Sequence, residues 1–250
     1  MSDYRERKAL IGGGAVVWTR TAGAGPQRVL PDGCTDLIWS GTGPDGELIV
    51  AGPDTRAHLA SGPPGTRAVG LRFAPGAGPA VLGVPAHELR DLRVPLAALW
   101  PDAEVRRLAE RIAERITGRA AERIAGRESA PGRVLEEAAL GRLRTAEPPD
   151  PVLAAIVAGA SRGTGVAGIA AAVGLGERQL HRRSLAAFGY GPKTLGRVLR
   201  LNRALDLART GVRFAVVAAT AGYADQAHLA REVRALTGVP LSRLLAAPGG

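Results

Sequence analysis

The chain has 250 residues, enough for two domains that each bury a core of their own. No apolar run approaches the ~18 residues that a membrane-spanning helix needs, which excludes a transmembrane helix and a membrane partner. The charged start MSDYRERKAL argues against a signal peptide, and a single cysteine cannot form an intrachain disulfide, so we expect a cytoplasmic protein.

Residues 1–95 are predicted to form a β-rich, barrel-like domain. Short runs of β-branched and aromatic residues recur in this part of the chain, and Gly or Pro breaks each of them. Regular spacing of such runs is typical of a small β domain. The runs cover residues 15–18, 36–39, 47–50 and 68–73.

Residues 96–146 are predicted to be helical, because apolar residues recur there at i, i+3 and i+4 spacing. This apolar stripe either packs on the β domain or pairs with the same stripe of a second copy, in which case the protein is a homodimer. The Arg/Glu-rich turns between its members suit a solvated outer face in both cases. The stripe consists of Val105, Leu108, Ile112 and Ile116.

Residues 147–151, Glu-Pro-Pro-Asp-Pro, form a predicted linker to a C-terminal domain at 152–250. Asp150 is expected to cap the first helix of that domain, with Pro151 at the first helical position.

The basic charge of the chain is concentrated in the C-terminal domain. From residue 150 to the end, 13 Lys or Arg stand against 5 Asp or Glu, whereas residues 1–149 hold 20 against 18. Such an asymmetry favours a polyanionic partner and predicts salt-dependent affinity. Peripheral candidates for phosphate contact are Arg183, Arg213 and Arg243.

Two helix-turn-helix units are predicted in tandem, at residues 166–189 and 214–238. Each begins with a short Ala/Val-rich helix, followed by a glycine, Gly174 or Gly222, where the chain must turn tightly. A second helix with a polar outer face follows. A bracing helix, a glycine turn and an exposed polar helix form the geometry that enters the major groove of DNA.

The second helix of each unit pairs an apolar face with a polar one when residues are placed at about 100° intervals. Arg can hydrogen-bond guanine through two donors, Gln can bond adenine in the same way, and His offers a donor or an acceptor. A merely solvated face is the competing interpretation, but two such helices at similar spacing favour DNA binding. The candidates for base contact are Arg178, His181 and Arg182 in the first unit, and Gln226, Ala227, His228, Arg231 and Arg234 in the second.

The C-terminal half resembles the DNA-binding domain of the AraC/XylS family of transcription regulators over roughly residues 150–245. This resemblance implies two recognition helices held apart by a helix at Pro192–Thr210, and it places every candidate except Arg234 at a groove-facing position. The residues that carry it are Gly174-Leu175, Arg178-x-Leu180-x-Arg182, Gly189 and Pro192, then Arg200-Leu201-x-x-Ala204, then Ala221-Gly222-Tyr223-x-Asp225-Gln226-x-His228-Leu229-x-Arg231, Gly238 and Pro240.

The sequence departs from this family at two core positions, where Ser184 and Val233 stand in place of the usual Phe. Ser184 falls on the apolar face, so its hydroxyl needs a local partner such as a carbonyl one turn back. We therefore expect the first unit to be the less well ordered of the two. Ala227 has no polar atom for a base edge and suits only a thymine methyl.

The N-terminal half resembles sensor-like domains found ahead of AraC-type modules, in particular a group with a Pro-Asp-Gly-Cys-x-Asp segment, here Pro31–Asp36. The resemblance extends to Gly70-Leu71-Arg72-Phe73 and to Leu82-Gly83-Val84-Pro85, and it implies effector binding or dimerisation without naming a ligand. The candidate effector-domain residues are Asp32, Cys34, Asp36, Trp39 and Arg72.

A catalytic, redox or metal-binding role for this half is the weaker interpretation. Asp32, Cys34, Asp36 and His58 can be written as a metal site, and Cys34 as a nucleophile or a redox sensor. No CxxC pair or HExxH helix supports them, and a sensor thiol would need a lowered pKa. We therefore expect no enzyme, no metal and no cofactor.

Together these patterns predict an α+β protein with a β-rich N-terminal domain, a helical extension and an all-α C-terminal domain of two helix-turn-helix units. The function they favour is a bacterial transcription regulator that binds double-stranded DNA. A small-molecule effector, RNA polymerase and a second copy are open as partners. The rival is a ligand-binding or enzymatic protein whose C-terminal helices serve only in protein interaction.

Overall fold

In the computed structural model, which describes residues 4–42, 45–117 and 130–246, the N-terminal half forms β-strands. They are β1 (Arg5–Lys8), β2 (Val16–Thr21), β3 (Gln27–Val29), β4 (Thr35–Gly41), β5 (Glu47–Ala51), β6 (His58–Ala60), β7 (Arg67–Phe73) and β8 (Arg93–Pro95). Six of them form an antiparallel sheet in the order β1-β2-β7-β4-β5-β8, while β3 pairs with β6 separately. The predicted β-rich domain is confirmed, because each predicted run overlaps β2, β4, β5 or β7.

The two faces of the six-stranded sheet differ, because successive side chains along a strand point to opposite sides. On one face, Leu37 and Trp39 of β4 are buried with Leu71 and Phe73 of β7 in the core of the domain. The other face carries polar groups of the same strands, among them Asp36, which lies directly across from Arg72.

Helices cover the apolar face of the sheet. They are α1 (Gly78–Leu82), α2 (Asp102–Thr117) and α3 (Ala130–Leu143). In the α2 stripe, Leu108 and Ile112 are buried in the sheet core, and Val105 and Ile116 pack partly buried against it. The stripe therefore packs within the chain, as the first of its two interpretations predicts. Part of the predicted helical segment, residues 118–129, lies outside the described residues.

In the described residues of the C-terminal half, all regular elements are helices. Its helices are α4 (Val152–Ser161), α5 (Val166–Ala172), α6 (Glu177–Phe188), α7 (Pro192–Arg209), α8 (Phe214–Ala221), α9 (Gln226–Thr237) and α10 (Leu241–Ala246). The Asp150 carboxylate accepts a hydrogen bond from the Val152 amide at 3.1 Å, as expected of a cap at the start of α4.

Both helix-turn-helix units are present. Helices α5 and α6 form the first, and α8 and α9 form the second. The glycines predicted to make the turns, Gly174 and Gly222, have φ of 66° and 83°, in the left-handed region that other residues rarely adopt.

Helix α7 belongs to the cores of both units. Leu195 and Val198, in its first half, are buried with residues of α4, α5 and α6. Leu201 and Leu205, in its second half, are buried with residues of α8 and α9. The helix that links the units is therefore also the wall against which each of them packs.

Across the described parts of the chain, no helix combines the length and the apolar character needed to cross a membrane.

Candidate nucleic-acid interface

Helix α9, the second helix of the second unit, is fixed at its start by a side-chain cap. The Asp225 carboxylate accepts a hydrogen bond from the His228 amide at 2.6 Å. Such a cap satisfies one of the amides that have no partner within the helix. The inner face of α9 is buried, as the apolar stripe in the sequence predicts; its residues are Leu229, Val233 and Leu236.

His228 is held at the edge of this helix in a defined orientation. Its Nδ1 accepts a hydrogen bond from the Ala224 amide at 3.3 Å, and its ring meets the Tyr223 ring edge-on, with centroids 5.2 Å apart. Because Nδ1 acts as an acceptor, the neutral ring carries its proton on Nε2. The half-buried imidazole thus has one nitrogen committed to the backbone and one hydrogen-bond donor left over.

Two arginines of α7 fasten the second unit to the linker helix. Arg197 forms a two-pronged ion pair with Glu232 of α9, at 2.9 and 3.2 Å. Although burial opposes the shift, the bonds from Arg197 hold the pKa of Glu232 below its ordinary value. Arg200 lies 4.7 Å above the Tyr223 ring and donates to the Gly222 carbonyl.

In the first unit, Arg178 and Arg182 lie exposed on the outer face of α6, opposite the buried Leu180. His181 is exposed as well, but its ring lies against Gly191, so close that a Cβ on that glycine would approach Nδ1 to 2.6 Å. The first helix therefore presents two arginines outward and one histidine toward the start of α7.

Ser184 is fully buried in the first unit, as the helical wheel predicts. The expected partner is absent: within the described part of the chain, its hydroxyl makes no hydrogen bond. That expectation was wrong: Ser184 lies between the buried Leu180 and Phe188 on the inner face of α6, where its hydroxyl is shut off from water.

Four exposed arginines on the outer faces of α6 and α9 have no acidic partner within ion-pair distance among the described residues, whereas three other arginines of the C-terminal domain form ion pairs. Unpaired are Arg178, Arg182, Arg231 and Arg234; paired are Arg183 with Asp150, Arg197 with Glu232 and Arg209 with Asp206. Gln226 and Ala227 are also exposed, at the start of α9.

The ion pair between Arg183 and Asp150, at 2.9 Å, bears on one predicted phosphate contact. A phosphate at Arg183 would compete with this carboxylate. Arg213 and Arg243 are exposed and have no such partner among the described residues.

The carboxyl ends of α6 and α9 both contact the N-terminal domain. Arg90 donates to the Gly189 carbonyl at 3.3 Å, and Arg28 donates to the Thr237 carbonyl at 2.6 Å. The Ala57 amide donates to the Leu236 carbonyl at 2.7 Å. These residues were not predicted, since each contact joins segments about 100 or more residues apart and leaves no mark on local sequence.

Four of the five candidate effector-domain residues lie together on the polar face of the sheet. The Arg72 guanidinium forms ion pairs with Asp36 at 3.2 Å and with Asp32 at 3.4 Å. Burial raises the pKa of Asp36, although Arg72 opposes the shift. Cys34 adjoins this group, because its amide donates to the Asp32 carboxylate.

Trp39, the fifth candidate, lies on the opposite, apolar face of the sheet and is buried in the core. The tryptophan that joins the polar group is Trp18, whose indole donates to Asp36 at 2.5 Å and lies over Gly70. Strand alternation could have indicated this, since Trp18 and Arg72 share a face in the β2–β7 register.

The environment of Cys34 does not suit a reactive thiolate. Burial, followed by the nearby Asp32 and Asp36, raises the pKa of this thiol well above its ordinary value. A redox or alkylation sensor requires the opposite shift. Nowhere in the described ranges do three or more His, Cys, Asp or Glu side chains form a group that could hold a metal ion.

Two domain families match separate parts of the chain. Residues 169–247 match a helix-turn-helix domain family of the AraC type, and residues 15–95 match a domain of unknown function, DUF6597. Among curated proteins, no relative of the chain was found.

Solved structures of ToxT from Vibrio cholerae are similar to this chain over most of its length. A structure of its P21 crystal form has a TM-score of 0.50 at 10% identity, over 95% of this chain and 98% of that one. ToxT from strain O395 gives 0.47 at 12% identity, over 97% and 96%. A wild-type ToxT bound to an unsaturated fatty acid gives 0.46 at 11% identity, over 96% of each. At these identities the likeness concerns the fold alone.

Proposed function

Since the chain carries an AraC-type helix-turn-helix domain behind a DUF6597 domain, we propose that it is a sequence-specific, DNA-binding transcription regulator. Helices α6 and α9 act as the recognition helices. The observation that carries the proposal is the pair of exposed helix faces whose arginines have no acidic partner among the described residues. Unpaired guanidinium groups on both of these faces suit an anionic ligand.

The length of α7 agrees with simultaneous contact by both units. Its 18 residues span roughly 27 Å at the usual helical rise. Successive major-groove segments on one face of B-DNA lie about 34 Å apart. Recognition helices packed at the two ends of α7 therefore suit neighbouring segments of one duplex.

Within this proposal, base contacts fall to Arg178, Arg182, Gln226 and Arg231, while Ala227 faces a thymine methyl. His228 offers its Nε2 proton, so it suits acceptors such as guanine O6 or a phosphate oxygen. Peripheral basic side chains, three arginines and one histidine, contact phosphates and fix the register. The members of this outer set are His181, Arg213, Arg234 and Arg243.

A small-molecule effector is part of the proposal for the N-terminal domain. The Pro31–Asp36 segment supports it, because this segment contributes to the polar group around Arg72 and also contacts the C-terminal domain. Its Pro31 carbonyl accepts from Asn202 of α7 at 3.3 Å. A ligand that changes the polar group thus has a short route to the linker helix. We propose no catalytic role, and a bacterial cytoplasm as the site of action.

We also propose RNA polymerase as a partner, on the basis of the regulatory function alone. A second copy is another, but the α2 stripe packs internally, so a dimer would need a different surface.

The proposal is tested by selecting duplexes that the purified full chain binds from fragmented genomic DNA, and by titrating one of them at several salt concentrations. We expect enrichment of a common sequence and a steep loss of affinity as salt rises. Repeating the selection with candidate metabolites tests the effector. If no duplex is enriched and no salt-sensitive binding occurs, the rival in which the C-terminal helices serve protein interaction is favoured.

A further inference from the structure

We propose that the N-terminal domain is a splint that fixes the spacing and orientation of the two recognition helices, so that the full chain accepts only one separation of its two groove segments. This inference rests on the proposed DNA-binding function. It assigns to Arg28 and Arg90 a positioning role: they act through α9 and α6 and contact no DNA themselves.

The N-terminal domain contacts the second unit through the two-stranded sheet β3–β6. Arg28 of β3 donates to the Thr237 carbonyl at 2.6 Å, and the Ala57 amide, next to β6, donates to the Leu236 carbonyl at 2.7 Å. Carbonyls in the last turn of a helix have no donor within it. The N-terminal domain therefore supplies donors that the end of α9 would otherwise take from water.

The contact with the first unit is similar in kind and lies at the matching end of α6. Arg90 donates to the Gly189 carbonyl at 3.3 Å. Pro53 and Ala86 approach Gly189 so closely that a Cβ there would lie 2.5 Å from the proline ring. Gly76 approaches the buried Phe188 of α6 in the same way. The last turn of each recognition helix is thus seated on the N-terminal domain.

A third contact lies between these two. Asn202, in the second half of α7, donates to the Pro31 carbonyl at 3.3 Å. Leu30, the residue before Pro31, is partly buried and packs against the core of the second unit. The N-terminal domain therefore contacts the first unit, the linker helix and the second unit at once. These contacts oppose movement of the two units relative to each other.

The interdomain contacts leave the outer faces of α6 and α9 exposed. Arg178, Arg182, Gln226 and Arg231 are exposed with the N-terminal domain in place. The contacts lie at the carboxyl ends of the helices, whereas the amino-terminal residues of a recognition helix contact base edges. The closed arrangement is therefore compatible with DNA access, and its effect is to preset geometry.

The spacing of a DNA site measures this effect directly. One inserted base pair moves the second groove segment by about 3.4 Å and rotates it by roughly 35°. A splinted protein must break its interdomain contacts or lose one set of base contacts to follow that change. A protein without the splint adjusts at lower cost.

The experiment uses the full chain and a duplex of about 40 base pairs recovered by wild type, with no, one or two base pairs inserted between its two protected segments. We expect wild type to lose about tenfold or more in affinity on the first insertion. We expect Arg28→Ala and Arg90→Ala to lose about threefold or less on the same insertion. Arg28→Lys, which keeps a charged donor, should restore much of the wild-type discrimination.

Arg67→Ala is the matched control, because it removes the same charge from an exposed site at the start of β7, a central strand of the N-terminal sheet. It should keep the wild-type ratio between parent and inserted duplex. Binding of the parent duplex by each protein reports DNA binding itself, separately from the spacing ratio. If the Arg28 and Arg90 variants bind the parent and show the wild-type ratio, the splint is wrong and the DNA-binding proposal stands.

Discussion

The fully buried Ser184 hydroxyl gives the sharpest test of the packing described above. It has no hydrogen-bond partner among the described residues and sits in the apolar core of the first unit. We expect Ser184→Ala to raise the free energy of unfolding, because it removes a polar group that loses its water on folding and gains nothing in return.

The magnitude follows from three contributions. An unsatisfied buried hydroxyl costs about 1–3 kcal/mol. Ala exceeds Ser in helix propensity by up to ~0.7 kcal/mol. The void left by one oxygen atom offsets part of this gain. We therefore expect a net stabilisation of about 1–2 kcal/mol.

The measurement is urea denaturation of the full chain followed by far-ultraviolet circular dichroism. Tryptophan fluorescence would be less informative, because Trp18, Trp39 and Trp100 all lie in the N-terminal half. The shift should appear in the midpoint with an unchanged slope.

Thr237→Val is the matched control, because it removes a buried hydroxyl that is satisfied. Its Oγ1 lies 2.7 Å from the Val233 carbonyl and 2.9 Å from the Val239 carbonyl. We expect this variant to lose about 1–3 kcal/mol. If Ser184→Ala is destabilised to a similar extent, the hydroxyl has a partner after all and the reasoning fails.

Three further predictions concern contact with DNA and dependence on pH. Arg182→Ala and Arg231→Ala should each cost about 1–3 kcal/mol on a selected duplex, measured by gel shift; wild-type binding by both would refute the groove assignment. His228→Phe should reduce the preference for one base position in a repeated selection while leaving the rest of the site intact, and an unchanged site would contradict its donor role. Bonds from Arg7 and the Leu10 amide, although burial opposes them, hold the pKa of Glu136 below its ordinary value of 4.5. The resulting stability is present above that value and is lost as pH falls through the lower folded pKa, so the gap in unfolding free energy between wild type and Glu136→Gln should shrink in acid; a constant gap would refute it.

The elements predictable from sequence are those encoded by local pattern. The helix-turn-helix units follow from apolar periodicity, from glycines that need a positive φ, and from the Asp225 cap, all within short windows of sequence. The exposed arginines of α6 and α9 follow from the same periodicity.

The remainder depends on contacts between distant segments. The pairing of Trp18 with Asp36 needs the register of three neighbouring strands, β2, β7 and β4. The bonds of Arg28 and Arg90 to helix ends need the packing of whole domains. No window of sequence contains both partners of such a contact, so none could predict it.

The division of α7 between two cores has a consequence for how the chain comes apart. If the first unit melts, Leu195 and Val198 lose their cover, and the helix that supports Leu201 and Leu205 loses the turn before it. The second unit then loses part of its wall as well. A break in the chain anywhere along α7 should thus unfold both helix-turn-helix units. The smallest fragment that keeps either recognition helix in place therefore contains both units and α7.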